Sequence, residues 1–189
     1  MSRSESNYET EIKLRVSDAE SARALLLQSG YAISVPRVLE VNVIFDTPDL
    51  TLRRGGLLLR LRRTASLFTM TVKGPVSAGK HKSRPEYEVM VSDFGSAEGL
   101  LLQLGYQEVF RYEKYRTEFT STLESGTITL DETPIGVFLE LEGPGSWIDG
   151  TADRLGFSPS LYIIESYGKL YSEYSGVNLG APRDMLFGT

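Results

Sequence analysis

Residues able to do chemistry stand in like-charged pairs one residue apart: Glu9 and Glu11, Arg60 and Arg62, Glu86 and Glu88, Lys114 and Arg116, Glu140 and Glu142. In extended backbone that spacing puts both members of a pair on the same face. Like charges there destabilise a sheet, by roughly 0.2–1 kcal/mol for a directly opposed pair, unless opposite charge lies between them. A solvated outer face gains nothing from such pairing, whereas a site that binds cations and anions together does. Carboxylates in pairs suit hard divalent cations, and Arg and Lys in pairs suit phosphate oxygens.

Composition narrows the alternatives. Cysteine is absent and histidine occurs once, at His81. Disulfides, thiolate metal ligands, Fe–S clusters, a cysteine nucleophile and a multi-histidine metal site are therefore excluded, and a Ser-His-Asp arrangement would have to pass through His81. Lys and Arg total 20 against 25 Asp and Glu, a net charge of −5, which argues against nucleic-acid binding by bulk positive charge. With 41% hydrophobic and 24% charged residues over 189 positions, the expectation is one globular domain, 1–189, with its core at about 7–175. Met1 to Asn7 is polar and apolar runs are short, so neither a signal peptide nor a membrane helix is expected. The protein reads as cytoplasmic, without membrane or nucleic-acid partners, and monomeric or homodimeric.

The elements that must position these charges follow from periodicity. Tyr8 to Val16 alternates as a strand, with Glu9, Glu11 and Lys13 on one face and Thr10, Ile12 and Leu14 on the other. Asp18 caps a helix that closes at Gly30. A β-rich stretch from Tyr31 to Phe45 is interrupted at Pro36 and ends in the turn Asp46-Thr47-Pro48-Asp49. Leu57 to Arg63 and Phe68 to Lys73 make a hairpin, 74–82 reads as a loop, and Arg84 to Val91 resumes the alternation. A second helix spans Phe94 to Leu104. Gln107 to Phe119 is a long strand, and Thr127 to Asp131 pairs with Val137 to Glu142. Two short helices, at about 146–155 and 165–174, end the chain. The helix ends Leu27 to Tyr31 and Leu102 to Tyr106 resemble each other, a faint sign of duplication. His81 reads as a solvated loop residue and Trp147 as a packing residue.

Were the sheet to close, the charged faces would point inward and the apolar faces would lie outside under the helices. The lumen would hold Glu9, Glu11, Glu86, Glu88, Asp131, Glu140 and Glu142 beside Lys13, Arg60, Arg62, Lys73, Lys114 and Arg116. Buried charge must be paired or metal-bound. A polyphosphate with divalent ions balances such an interior.

These residues fall into an ordered set of motifs: Glu9-x-Glu11-x-Lys13; FDTPDLTLRRGGLLLRLR through Arg62; Thr71-Val72-Lys73-Gly74-Pro75; Arg84-Pro85-Glu86-Tyr87-Glu88; Leu130-Asp131; GVFLELE ending at Glu142; and Ser166-Tyr167. On them the chain resembles the CYTH superfamily, the triphosphate tunnel metalloenzymes, over roughly residues 7–175. The resemblance implies an α+β fold, a closed antiparallel barrel of about eight strands flanked by helices. It implies that Lys13, Arg60, Arg62, Lys73, Lys114 and Arg116 bind triphosphate, with Lys169 of the last helix reaching the phosphates. It sets Glu9, Glu11, Asp131, Glu140 and Glu142 on the metal side, for Mg2+ or Mn2+ as a pair of ions. Glu9, Glu11, Lys13, Glu140 and Glu142 would be catalytic, and Glu86 and Glu88 form a further acidic pair.

The implied activity is metal-dependent hydrolysis of tripolyphosphate, thiamine triphosphate or a nucleoside triphosphate. The alternatives are a class IV-like adenylate cyclase and a non-catalytic polyphosphate- or nucleotide-binding module. Class IV cyclases resemble one another in a His-Phe pair upstream of the first motif. Here that stretch is Arg3-Ser4-Glu5-Ser6-Asn7-Tyr8, which weakens the cyclase reading.

Overall fold

The computed structural model describes residues 8–177 and 183–188; the polar stretch through Asn7 lies outside them. Eight strands are present: β1 (Tyr8–Val16), β2 (Ala32–Asp46), β3 (Leu58–Thr64), β4 (Leu67–Lys73), β5 (Lys82–Val91), β6 (Gln107–Thr120), β7 (Thr127–Thr133) and β8 (Gly136–Glu142). They close an antiparallel barrel in the order β1-β5-β4-β3-β2-β6-β7-β8. The helices are α1 (Ala19–Gln28), α2 (Thr51–Arg54), α3 (Phe94–Gln103), α4 (Gly145–Arg154) and α5 (Tyr167–Val177). Among the described residues no helix is long and apolar enough to cross a membrane.

The apolar positions of the alternating strands face outward and need cover. Ile12, Leu14, Leu130, Leu139 and Leu141 of β1, β7 and β8 are buried against Ala22 and Leu26 of α1 and Ile148 and Ala152 of α4. Val43, Phe45, Leu59 and Leu61 of β2 and β3 are buried against Ala97 and Leu101 of α3. Fully burying one such side chain stabilises the fold by about 1.5–3 kcal/mol, so these two clusters fix which face of each strand turns inward.

α1 and α3 are built alike. Asp18 and Asp93 each accept the backbone N–H three residues on, both at 2.7 Å. Each helix ends at a glycine in the left-handed region, Gly30 (φ +86°) and Gly105 (φ +88°), followed by Tyr31 N–H to Leu26 O and Tyr106 N–H to Leu101 O, both 3.1 Å.

Two departures from the periodicity have local causes. β2 continues through Pro36, but its register with β6 shifts between Ile33 and Val35 and again between Val35 and Val38. A residue without an N–H is absorbed by an irregular ladder rather than by ending the strand. The short α2 was not expected, because a single turn has no periodicity. Asp46 nucleates it by accepting from Leu52 N–H and Arg53 N–H, both 2.9 Å.

Candidate active site

The inward faces of the strands line one cavity of about 1200 Å3. β1 contributes Glu9, Glu11 and Lys13, β3 Arg60 and Arg62, β4 Lys73, β5 Glu86 and Glu88, β6 Lys114 and Arg116, and β8 Glu140 and Glu142. Lys169 of α5 also lines it, on the rim, paired with Glu173 of its own helix at 3.2 Å.

Asp131, expected on the metal side, does not join the other carboxylates. It is fully buried behind the bases, accepting from Lys114 Nζ (2.8 Å), Arg116 Nε and Nη2 (2.7 Å each) and Tyr167 Oη (2.8 Å). With those lone pairs engaged it orients bases rather than facing the lumen. Tyr167 holds the same unit from above, its ring centroid 5.3 Å from Lys13 Nζ and 5.2 Å from Lys114 Nζ. Burial, then the Asp131 carboxylate, push its phenol well above the usual tyrosine range, so it stays a donor.

Periodicity also undercounted the lumen. Glu40 and Asn42 alternate with Val41 and Val43 on β2, a signal hidden in a stretch read as uniformly β-rich. Arg62 Nε donates to Asn42 Oδ1 at 2.8 Å, and Glu40 lies 3.4 Å from Arg62 and 3.5 Å from Lys114. Burial opposes ionisation of Glu40, yet Lys114, Arg116 and Arg62 outweigh it and bring its pKa down to about 2. Lys82, assigned to a loop, begins β5 and is buried in the lumen, as is Arg84.

Around β1 the acids are held by lysines. Glu9 accepts from Lys73 at 2.6 and 2.7 Å, Glu86 lies 2.9 Å from Lys73, and Glu11 accepts from Lys82 at 2.5 Å and Lys13 at 3.1 Å. Glu140 pairs with Lys13 at 3.2 Å and with Arg116. Burial works against ionisation of Glu11 and Glu140, but the cations around them hold both well below the usual carboxylate range. Burial, then Lys13, lower Lys82 to about 8. Arg60 Nη2 donates to Thr71 Oγ1 (3.0 Å) and Glu88 (3.3 Å), the latter also bonded by Thr71 (2.7 Å).

Two features of this lumen are unsatisfied. Among the described residues Arg60 Nε and Asn42 Nδ2 are buried donors with no hydrogen-bond partner, and Arg84 Nε has only an ion pair with Glu9 at 3.5 Å; an anion in the lumen would relieve the cost at Arg60. Among the described residues the Glu142 carboxylate has no hydrogen-bond or ion-pair partner, and the residue sits directly opposite Glu11 in the β1–β8 register. Its carboxylate is open to the lumen, but the walls around it, then Glu9 and Glu11, push its pKa up to about 7. Among the described residues no three carboxylates or imidazoles are gathered as a formed metal site. Glu9, Glu11 and Glu142 carry the oxygen donors that hard cations take, but Glu9 and Glu11 are engaged by Lys73, Lys82 and Lys13.

His81 is not a solvated loop residue. Its Nε2 lies 2.9 Å from Asp149 Oδ1, its ring stacks on Tyr162 at 6.2 Å, and it packs on Gly145, tying the loop before β5 to α4. Trp147 does pack, and its Nε1–H donates to Glu124 at 2.7 Å.

An eight-stranded closed barrel whose interior is charged and whose outer faces lie under helices is the architecture of a tunnel protein. The CYTH domain model matches residues 7–149, and the chain belongs to that family. A Methanocaldococcus jannaschii protein named as a candidate adenylate cyclase is 28% identical over 134 residues, 71% of this chain and 75% of that one. Among solved structures, a Vibrio parahaemolyticus protein, also titled a candidate adenylate cyclase, superposes with a TM-score of 0.78 at 22% identity, covering 89% of this chain and 99% of its own. A Hippeastrum protein, titled an adenylyl cyclase candidate with a dominant triphosphatase activity, gives 0.64 at 20% identity, covering 89% and 96%. These two likenesses establish the shared fold.

Proposed function

We propose that the protein is a divalent-metal-dependent hydrolase of triphosphates, working in the cytoplasm. The reading rests on one observation above the others: the buried Arg60 Nε, without a hydrogen-bond partner among the described residues, faces a lumen that also holds an acid with no cation beside it, Glu142. An elongated anion with a cation answers both. The Hippeastrum relative's titled activity lends further support.

In this reading Arg60, Arg62, Lys73, Lys114 and Arg116 grip phosphate oxygens, and Asp131, Glu40 and Asn42 keep the guanidinium and ammonium groups aimed before substrate arrives. Such preorganised charge is where the bulk of barrier lowering arises in phosphoryl transfer. Lys13, bracketed by Glu11 and Glu140 and held fully charged by them, stabilises negative charge on the phosphoryl group under attack. Water adds to the terminal phosphorus, the bridging P–O bond breaks, the diphosphate group leaves carrying the electron pair, and the proton lost by the water passes to solvent or to that leaving group. A Mg2+ or Mn2+ ion held by Glu9, Glu11 and Glu142, with Glu140 near, would neutralise phosphate charge and acidify a water.

Adenylate cyclase activity is the second reading, favoured by the name of the M. jannaschii relative. Incubation with tripolyphosphate, ATP or thiamine triphosphate and Mg2+ or Mn2+ separates the readings. Phosphate release supports the hydrolase, cyclic AMP with diphosphate would replace it with the cyclase, and tight binding with neither product would leave a binding module.

A further inference from the structure

The ammonium groups that neutralise the acids of β1 are not held alike. Lys13 Nζ lies between two carboxylates, Glu11 at 3.1 Å and Glu140 at 3.2 Å, with the Tyr167 ring centroid 5.3 Å away. Lys73 Nζ likewise lies between Glu9 at 2.6 Å and Glu86 at 2.9 Å. Lys82 has one acid partner among the described residues, Glu11 at 2.5 Å, and it donates to the same oxygen, Oε1, that Lys13 reaches. It is buried and stands at the first residue of β5, lining the lumen as Arg84 does two positions on. The register sets Glu11 directly between Lys82 of β5 and Glu142 of β8. Two carboxylates and one ammonium thus share a row across three strands, and all three residues line the lumen.

A divalent cation held by Glu11 and Glu142 brings the two positive charges that this row needs, and the Lys82 ammonium beside it becomes one too many. Like charges at buried positions interact far more strongly than in bulk water. Lys82 is also the ammonium whose removal strands least: Glu11 would keep Lys13, whereas displacing Lys13 or Lys73 takes a cation from two carboxylates at once. Resting on the metal-dependent reading above, we propose that Lys82 is the displaceable counterion of the cation site: it neutralises Glu11 in the metal-free protein, yields that carboxylate to the divalent ion, and so sets how tightly the ion binds. In this role Lys82 is a positioning residue that acts through Glu11. A buried carboxylate stripped of its partner destabilises the fold, so the lysine keeps the metal-free wall paired and, by the same contact, lowers its affinity for metal.

The test is Mn2+ affinity, measured by titration calorimetry at neutral pH without substrate, for the wild type, Lys82→Met, Lys82→Gln and Lys82→Arg, with metal-free Tm as the check on folding. Met removes the competing charge; Gln removes it while still able to donate to Glu11, and serves where Met unfolds the protein. The neutral variants should bind Mn2+ about tenfold or more tightly than the wild type, since a charge-assisted hydrogen bond no longer has to be given up. Lys82→Arg keeps the charge and should stay within about threefold of the wild type. Adding Glu142→Gln to a neutral variant should remove the gain. Damage to the fold would weaken metal binding rather than tighten it, so the sign separates competition from a merely structural role. Mn2+ affinity that is unchanged or weaker in a folded neutral variant overturns the proposal, and phosphate release that still needs Mn2+ would then leave the hydrolase reading standing. Mn2+ binding in none of these proteins, with turnover indifferent to metal, overturns the metal-dependent reading and the inference with it.

Discussion

Two walls of the same lumen solve the problem of buried charge differently. On the β2–β6–β7 side, residues opposite each other in register carry opposite charge, Glu40 against Lys114 and Arg116 against Asp131. Where β1 meets β8, Lys13 faces Glu140 in the same manner, but one step on Glu11 faces Glu142. Among the described strand pairings that is where two like charges meet. The basic wall thus has its charges paired by internal counterions, though Asn42 Nδ2 has no hydrogen-bond partner among the described residues, whereas on the acidic wall Glu142 faces a like charge. A site organised for an anion and incomplete for a cation is what a metal-bound polyphosphate requires.

Breaking the basic wall should have the largest effect. Asp131→Ala leaves Lys114 and Arg116 buried without their main counterion, and loss of one partner of a buried pair costs about 3–5 kcal/mol. That is a large share of a typical domain's stability, so the urea midpoint should fall steeply. A midpoint near wild type would mean that Glu40 and Glu140 alone hold the bases.

Acid probes the same wall through Glu40. Its pKa is lowered from 4.5 when folded, so its contribution is complete above about pH 4.5 and is lost as pH falls toward about 2; by linkage that is about 3 kcal/mol at most. The stability advantage of wild type over Glu40→Gln, measured by Tm, should shrink across that window. A constant advantage would show that the charge of Glu40 is immaterial.

Arg60→Lys tests the proposed grip on phosphate without removing charge. An ammonium cannot reproduce the guanidinium fork, and one lost charge-assisted hydrogen bond worth about 1.5–3 kcal/mol lowers kcat/KM about tenfold or more. An unchanged kcat/KM would reduce Arg60 to an internal partner of Glu86 and Glu88.

The smallest effect should sharpen the contrast on the acidic wall. Glu142→Gln relieves the repulsion with Glu11, worth roughly 0.2–1 kcal/mol, so the metal-free protein should melt slightly higher. The same variant should lose the Tm increase that Mg2+ or Mn2+ gives wild type. A variant that melts lower, or keeps its metal response, would remove Glu142 from the cation site.

The alternation of charged and apolar residues by itself determined the strands, the two sides of each strand, and the need for helices over the outer faces. Glu9 to Lys13 and Gly136 to Glu142 could be read to within a residue because a period of two has only one way to bury Ile12, Leu14, Leu139 and Leu141. Asp18, followed by an apolar run and Gly30, likewise announced α1, and the apolar run closing at Gly105 announced α3, whose Asp93 cap the structure added.

What only the tertiary structure decided is which charge meets which. Asp131 shares its inward face with no other acid on β7, and nothing in the sequence tells whether such a carboxylate meets a metal or two bases; that depends on β6 lying beside β7 with Arg116 opposite it. Lys82 follows a glycine- and lysine-rich stretch that looks like loop. It becomes a lumen residue only because β1 extends far enough for Glu11 to pair with it. Glu40 and Asn42 gained their meaning from Arg62 and Lys114, some 20 and 74 positions away. Registry across a closed barrel couples residues far apart in the chain, and a pattern of period two carries the facing of each strand but not its neighbour's alignment.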